Sequence, residues 1–322
     1  MLIGQEKGAE AMMAFGPVPS RRLGRSLGVN NIPPKTCTYA CVYCQLGTTG
    51  RIRMDRQEFY DPEELASAVR EKVAAARGKG ESIDYLSFVP DGEPTLDVNL
   101  GRHMELLRPL GIPIAVISNA SLIWREDVRD ELSGADWVSL KADAASGDVW
   151  RRVNRPHGRL DLQAIQEGML AFAQGYEGKL VTETMLVRDV NDTPESLQQV
   201  AAFLHRLSPD TAYLAIPTRP PAEPDAGGPE EETINRAFQI LSDRLDHVEY
   251  LIGYEGNAFA STGDVEENLL SITSVHPMRD DAVEELLRKA GADWSAVRSL
   301  VDRGLLVETK LEGRRFYLRK LG

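Results

Sequence analysis

Cysteine and histidine are scarce in this chain. Of 322 residues, only three are cysteines and five are histidines. The three thiols, Cys37, Cys41 and Cys44, lie so close together in the sequence that they cannot join distant segments, as the disulfides of small secreted domains do. An odd number of closely spaced thiols is typical of a metal site or of redox chemistry.

The chain also lacks a long apolar run and an excess of positive charge. A membrane-spanning helix needs roughly 20 consecutive apolar residues, and no stretch comes near that length. Residues 1–16 have no apolar segment of the secretory type, which predicts a cytoplasmic protein with no membrane partner. Lys and Arg number 37 against 49 Asp and Glu, and the resulting net charge of −12 disfavours a general grip on nucleic-acid phosphates.

Strand-like and helix-like segments alternate between residues 27 and 253. Most of the strand-like segments are short and apolar, as expected of strands buried on both faces. They are Leu27–Asn31, Tyr85–Val89, Ile114–Ser118, Trp137–Lys141, Leu180–Val187, Ala212–Ile216 and Val248–Ile252. Helix starts with an Asp or Thr cap followed by proline, at Pro62 and Pro194, separate some of them. The alternation predicts an α/β fold with a parallel sheet, either an open doubly wound sheet or a partial (β/α) barrel.

A different pattern begins near the carboxyl end. Residues 274–322 hold 10 Lys and Arg and 8 Asp and Glu, although the whole chain is strongly acidic. We take the Gly- and Ser-containing stretch Ser261 to Ser274 as the domain boundary. Two amphipathic helices are then followed by two short strands, at Asp280–Ala290, Trp294–Arg303, Leu305–Lys310 and Arg314–Leu318. This order predicts a small winged-helix-like module over 274–322, for which we favour a protein-interaction, substrate-presenting or lid role over DNA binding.

The cysteines are spaced Cys-x3-Cys-x2-Cys and directly follow the first predicted strand. This placement puts them at the carboxyl edge of the sheet, where ligands bind in both candidate folds. Three thiolates on one tight loop can bind three irons of a cubane iron–sulfur cluster and leave the fourth iron open for a small chelating ligand. The alternative is a zinc site completed by a distant ligand such as His103 or His157. The spacing favours the cluster.

With Tyr43 before the last cysteine, the loop resembles the signature of the radical S-adenosylmethionine (SAM) superfamily. The flanking stretches 15–24 and 44–47 resemble the branch grouped with wyosine-type tRNA-base synthetases. The resemblance covers about residues 15–260 and implies a partial (β/α)6-type barrel. We place this core domain at 27–260, after an extension over 1–26. It also implies a [4Fe–4S] cluster on Cys37, Cys41 and Cys44, whose open iron chelates SAM.

The activity that the resemblance implies is reductive cleavage of SAM to methionine and a 5′-deoxyadenosyl radical. That radical abstracts hydrogen from an unidentified substrate, which is a small molecule, a peptide or an RNA. The implied electron donor is of flavodoxin or ferredoxin type.

Two alternatives to this activity stay open. Wyosine-type tRNA-base modification is one, although those enzymes use additional cysteines for a second cluster and this chain has none left. The other is a regulator in which the cysteine loop senses metal or redox state and the carboxyl-terminal module binds DNA.

The segment from Pro90 to Thr95 resembles the Gly-Gly-Glu-Pro motif of the same superfamily, with Asp91 in place of the first glycine. A carboxylate there would accept a hydrogen bond from the ammonium group of SAM, and Gly92 would let the backbone approach closely. Polar side chains at other strand ends complete the set. The candidate cofactor-binding residues are Tyr43, Gly92, Glu93, Pro94, Ser118, Asn119, Lys141 and Glu183. The structural alternatives are helix capping for Ser118 and a solvent-facing strand side for Glu183.

Charged and polar side chains in the later loops would lie at the mouth of the predicted site. Arginine recognises carboxylate and phosphate groups, so these arginines, together with Arg21 and Arg22, suggest an anionic group on the substrate. The substrate candidates are Asp143, Asn154, Arg155, His157, Arg219 and Glu255. For each arginine, the alternative is a solvated surface position or a local ion pair.

Overall fold

An eight-stranded sheet forms the larger part of the fold. The computed structural model describes residues 13–47, 49, 52–252, 265–275, 277–311 and 313–320. The strands lie side by side in chain order; β1 is antiparallel to β2, and β2 to β8 are parallel. They are β1 (Ala14–Ser20), β2 (Gly24–Val29), β3 (Tyr85–Phe88), β4 (Ile114–Ser118), β5 (Trp137–Lys141), β6 (Lys179–Met185), β7 (Thr211–Ala215) and β8 (Val248–Leu251).

Helices connect the parallel strands, as the alternating pattern predicts. They are α1 (Pro62–Gly78), α2 (Leu100–Leu107), α3 (Glu126–Leu132), α4 (Gly147–Val153), α5 (Leu162–Gly175), α6 (Pro194–Leu207) and α7 (Glu231–Ser242). The predicted helix starts are confirmed: Asp61 accepts hydrogen bonds from the first-turn amides of α1, and Thr193 caps α6 in the same way. The α/β class and the barrel-like parallel sheet are therefore confirmed.

The sheet buries both faces, and side chains alternate between them along each strand. On the outer face, residues such as Val138 and Leu140 pack against the helices in the main core. On the inner face, Trp137 and Val181 belong to a second, smaller cluster inside the barrel. Further along the same inner rows come polar residues, Lys141 on β5 and Glu183 on β6.

The first strand lies outside the predicted core. We expected 1–26 to be an extension and the core to begin at residue 27, yet β1 is part of the same sheet, and that boundary falls within β2. Pro17 and Pro19 argue against a strand when the sequence is read alone. The strand tolerates them because it pairs only with β2 at the end of the sheet.

The carboxyl-terminal residues form a second core. Its helices and strands are α8 (Val265–Val275), β9 (Met278–Arg279), α9 (Asp280–Ala290), α10 (Trp294–Asp302), β10 (Leu306–Leu311) and β11 (Arg314–Arg319). The two predicted helices and the hairpin are present, and β9 pairs with β11 to complete a three-stranded sheet. The expected boundary at 261–274 overlaps α8, whose Leu269 and Ile272 are buried in this core. The name winged-helix-like stays a prediction.

Val18 of β1 packs against the carboxyl-terminal core, so the first strand touches both parts of the protein.

Within the described ranges, no helix is both long enough and apolar enough to cross a bilayer.

Replacing Gly28 with alanine tests the packing of the first two strands. A Cβ at position 28 would lie 1.9 Å from the ring of Phe15, which is 1% exposed and has little room to move. We expect Gly28→Ala to lower the free energy of unfolding by roughly 1–3 kcal/mol, the usual cost of overpacking. Denaturant unfolding of Gly28→Ala and of wild type measures this loss. Gly78→Ala, at an exposed glycine of α1 with open space around it, is the control and should not destabilise the protein.

Candidate active site

A cavity of about 370 Å³ opens at the carboxyl ends of the parallel strands. All three cysteines line it, together with strand-end residues from β3 to β7. Seven of the eight predicted cofactor-binding residues are on its wall: Tyr43, Gly92, Glu93, Ser118, Asn119, Lys141 and Glu183. Pro94 is buried behind the wall as the first residue of a short 3-10 turn.

Two loops meet on one side of this cavity. The loop that carries the cysteines, residues 30–47, runs alongside the loop after β3, residues 89–95. The Lys35 amide donates to the Asp91 carbonyl at 2.7 Å, and the Glu93 amide donates to the Thr36 carbonyl at 3.0 Å. Between these bonds, a Cβ on Gly92 would lie 1.8 Å from the Thr36 carbonyl oxygen. Glycine is therefore required here by the neighbouring cysteine loop.

The Glu93 carboxylate accepts four hydrogen bonds from neighbouring protein groups. Its Oε1 accepts from the Thr95 amide at 3.1 Å, the Thr95 hydroxyl at 2.6 Å and the Ser118 hydroxyl at 2.7 Å. Its Oε2 accepts from the Asn119 amide at 2.7 Å. Burial raises the pKa of Glu93, and these hydrogen bonds oppose that rise. The carboxylate therefore ties the loop after β3 to the end of β4, and its predicted contact with a ligand ammonium has only Oε2 available.

The thiols suit a cationic metal centre. Burial is the main cause that raises the pKa of all three, and for Cys41 burial and the nearby Asp143 together raise the pKa to about 12. Such thiols keep their protons until metal binding displaces them, because a metal binds the thiolate form. Side-chain amides already point at two of the sulfurs: Asn119 Nδ2 lies 3.5 Å from Cys37 Sγ, and Asn154 Nδ2 lies 3.4 Å from Cys41 Sγ.

Asp143 and Asn154 lie behind the cysteine loop. Asp143, 3% exposed, accepts hydrogen bonds from the Tyr43 hydroxyl, from Asn154 Nδ2 at 2.7 Å and from the Met185 amide at 2.8 Å. Neither Asp143 nor Asn154 is on the cavity wall. Their predicted role toward the substrate therefore stays a prediction. Their side chains contact each other, the cysteine loop and the end of β6.

The inner face carries a buried trio of charges. Glu183 accepts from Lys141 Nζ and from Arg22, whose Nη1 lies 2.5 Å from Glu183 Oε2. Burial alone would raise the pKa of Glu183, but these two cations outweigh it and lower that pKa to about 2. The guanidinium of Arg22 also lies 5.8 Å from the ring centre of Trp137 and 5.9 Å from that of Tyr213. Two cations share one carboxylate, so the trio carries a net positive charge.

The other sequence candidates are scattered. Arg219 lines the cavity and donates to Gln45 Oε1 at 2.6 Å. Arg155 is exposed and pairs with Glu223 at 2.5 Å, and His157 is half-buried off the cavity wall. Glu255 lies outside the described residues.

The two histidines proposed for the alternative zinc site, His103 and His157, do not lie with the cysteines on the cavity wall. His103 is fully buried with its Nε2 2.9 Å from Asp97 Oδ2, and neither His103 nor His157 lines the cavity. Across the described part of the chain, no three His, Cys, Asp or Glu side chains are grouped to hold one metal ion.

Lys35 and Asp91 line the cavity but were not among the candidate cofactor-binding residues. Lys35 lies on the wall in a left-handed conformation (φ 58°). Asp91 is 2% exposed with its Oδ1 unpaired within the same described residues, and burial raises its pKa to about 7. Position in the sequence was the available signal, since Lys35 lies two residues before the first cysteine and Asp91 replaces a motif glycine.

Replacing Gly92 with alanine tests the contact between the two loops. The added methyl group meets a backbone carbonyl that cannot rotate away, so the loops must separate. We expect a loss of roughly 1–3 kcal/mol in unfolding free energy and a marked loss of iron and acid-labile sulfide bound after anaerobic reconstitution. Gly175→Ala, with open space around it, is the control. Wild-type iron content in Gly92→Ala would contradict the role assigned to this contact.

Replacing Glu183 with glutamine tests the buried charge trio. It leaves Lys141 and Arg22 facing each other without a carboxylate, which we expect to cost about 3 kcal/mol of stability at pH 7. Because the folded-state pKa of Glu183 is about 2 and the usual value is 4.5, its contribution is complete above about pH 4.5 and is lost as the pH falls towards about 2.

Denaturant unfolding of wild type and Glu183→Gln across this range should show the difference shrinking in acid. Glu249→Gln, at an exposed glutamate of β8, is the matched control. A difference that stays constant with pH would rule out the ion pairs as its source.

The chain matches the sequence model of the radical SAM superfamily over residues 31–204. It is 45% identical over 311 residues to the UPF0026 protein MJ1312 of Methanocaldococcus jannaschii, covering 96% of each chain. It is 37% identical to the UPF0026 protein slr1464 of Synechocystis sp., covering 64% of this chain and 76% of that one.

Solved structures of low sequence identity share the fold. A structure of TYW1 with a lysine-pyruvate adduct bound superposes with a TM-score of 0.55 at 16% identity, covering 69% of this chain and 74% of that one. A radical SAM methyltransferase from Sphaerobacter thermophilus gives a TM-score of 0.51 at 18% identity, covering 72% and 69%. The family match spans more than half of this chain and includes all three cysteines, and the chain belongs to the radical SAM superfamily.

Proposed function

We propose that this radical SAM enzyme cleaves SAM reductively and abstracts a hydrogen atom from a substrate that carries an anionic group. The observation that carries the proposal is the meeting of the cysteine loop and the loop after β3 on one wall of a cavity whose other walls are strand ends. A cluster-based sensor needs the first loop alone. The second loop, joined to the first through Gly92, supports catalysis on a bound cofactor.

The cofactors of the family are a [4Fe–4S] cluster and SAM. When bound and reduced by an external donor, the cluster would supply the one electron that breaks the sulfonium C–S bond of SAM and gives methionine and a 5′-deoxyadenosyl radical. Cys37, Cys41 and Cys44 would hold the cluster. Asp91 would accept from the SAM ammonium group, because its Oδ1 is buried at the wall without a partner among the described residues.

The charges on the wall indicate an anionic substrate. Five cations line the cavity against three carboxylates, in a chain whose net charge is −12. The cations are Arg21, Arg22, Lys35, Lys141 and Arg219. A local positive field in an acidic protein attracts and orients an anion, and guanidinium groups pair well with carboxylate or phosphate. Lys35 and Arg219 would make these contacts from the cavity wall, whereas Arg22 and Lys141 pair with Glu183.

The remaining assignments follow from the same proposal. The electron donor would be a flavodoxin or ferredoxin in the cytoplasm. The carboxyl-terminal module would present or cover the substrate, since its core reaches β1 through Val18, and β1 lines the cavity with the same residue.

Release of 5′-deoxyadenosine tests the proposal. Anaerobically reconstituted protein with dithionite and SAM should release 5′-deoxyadenosine and methionine, measured by liquid chromatography and mass spectrometry. Cys41→Ala should release none above the background, because one of the three cluster thiolates is gone. Glu249→Gln, far from the cysteines in the sequence and exposed, should match wild type. Equal release from Cys41→Ala and wild type, or none from wild type with a full cluster, would contradict it.

A further inference from the structure

The amide side chain of Asn154 connects a cluster thiolate to a buried carboxylate. One N–H of its Nδ2 group faces Cys41 Sγ at 3.4 Å, and the same nitrogen lies 2.7 Å from Asp143 Oδ2. Hydrogen bonds to cluster sulfurs are among the means by which proteins set reduction potentials. We propose that Asn154 and Asp143 tune the potential of the cluster in opposite directions, with Asn119 acting in the same sense as Asn154.

The position of Asn154 is fixed by its surroundings. It caps the carboxyl end of α4, and this end is docked on the cysteine loop: the Ala40 amide donates to the Asn154 carbonyl at 3.1 Å, and the Val42 amide donates to the Val153 carbonyl at 3.0 Å. The residue is 3% exposed. The amide therefore has no room to turn away when the charge on Cys41 changes.

Asp143 is fixed just as firmly. The Met185 amide at the end of β6 and the Tyr43 hydroxyl of the cysteine loop both donate to its carboxylate. Its charge is thus held one amide away from Cys41.

The signs follow from electrostatics. Reduction adds one negative charge to the cluster, and an N–H donor stabilises the more negative state more strongly, because hydrogen bonds to charged groups are the stronger ones. Asn154 and Asn119 therefore raise the reduction potential. A fixed carboxylate repels the added electron, and this repulsion is large in a buried, weakly screened site. Asp143 therefore lowers the potential.

The experiment is a potentiometric titration of the reconstituted full-length protein, followed by the EPR signal of the reduced cluster, without SAM or substrate. Asn154→Leu removes the N–H donor and nearly keeps the volume. We expect about tenfold less reduced cluster at a fixed potential, a shift of −59 mV for a one-electron couple. Asn119→Leu should shift the potential in the same direction, and Asp143→Asn should raise it.

Asn191→Leu is the matched control. Asn191 is another buried amide, 1% exposed, whose Nδ2 lies 2.8 Å from the Asp143 carbonyl oxygen, and it is bonded to none of the cysteines. It should keep the wild-type potential. Since the measurement needs only the cluster, its outcome is independent of hydrogen abstraction, and failure of the proposed function leaves it standing.

Three results would overturn the inference. The first is a change of less than about twofold in the reduced fraction of the cluster at a fixed potential, in both Asn154→Leu and Asn119→Leu. The inference expects a tenfold change. The second is a shift of the reduction potential in the same direction in every variant, including Asp143→Asn and Asn191→Leu. Such a result would indicate general loosening of the loop. The third is loss of iron from both amide variants while Asn191→Leu retains it, which would make the amides structural anchors only.

Discussion

The contact between Thr36 and Gly92 is the constraint on which the rest of the site depends. A backbone carbonyl from the cysteine loop occupies the space where any other residue at position 92 would have its Cβ. The two flanking hydrogen bonds then join the cysteine loop to the loop after β3. Because Glu93 is bonded in turn to the end of β4 through Ser118 and Asn119, the cysteines are positioned by the sheet itself. A flexible loop could present three thiols, but it could not hold them at a fixed place above the strand ends.

Burial of both sheet faces explains how charged groups come to lie inside the barrel. Along β5, Trp137, Ser139 and Lys141 face inward, and the first of these is apolar while the last is charged. The inner rows thus change from apolar to polar along the strand direction, and the polar ends meet at the cavity. Glu183 is stable there only because Lys141 and Arg22 offset the cost of burying it. One part of the inner face therefore supplies packing and the other supplies chemistry.

Much of this architecture could be predicted from the sequence. The parallel strands read as short apolar runs, and the Ile114–Ser118 and Trp137–Lys141 strands have the predicted bounds. Lys141 was a candidate because it ends a strand at the edge where ligands bind, and Glu183 because a polar residue is unusual inside an apolar strand. Both line the cavity. Strand β1 was missed because its two prolines oppose strand formation, and only the sheet edge makes them tolerable.

Other features depend on tertiary contacts that no local pattern reports. Asp143 and Asn154 are polar residues after a strand and at the end of a helix, which fits a substrate contact as well as it fits an internal one. Only the docking of α4 on the cysteine loop turns them towards Cys41 and Tyr43. In the same way, the overlap of α8 with the expected domain boundary follows from burial of Leu269 in the carboxyl-terminal core, not from its local composition.

The turn between β1 and β2 lies at the end of the barrel opposite the cysteine loop and places a cation there. Arg22 extends from this turn between the rings of Trp137 and Tyr213, and Leu23 packs into the inner cluster beside them. These turn residues also line the cavity, so the space that begins at the strand ends extends down to this turn. A molecule that reached the deepest part of this space would therefore meet a guanidinium group held between two aromatic rings.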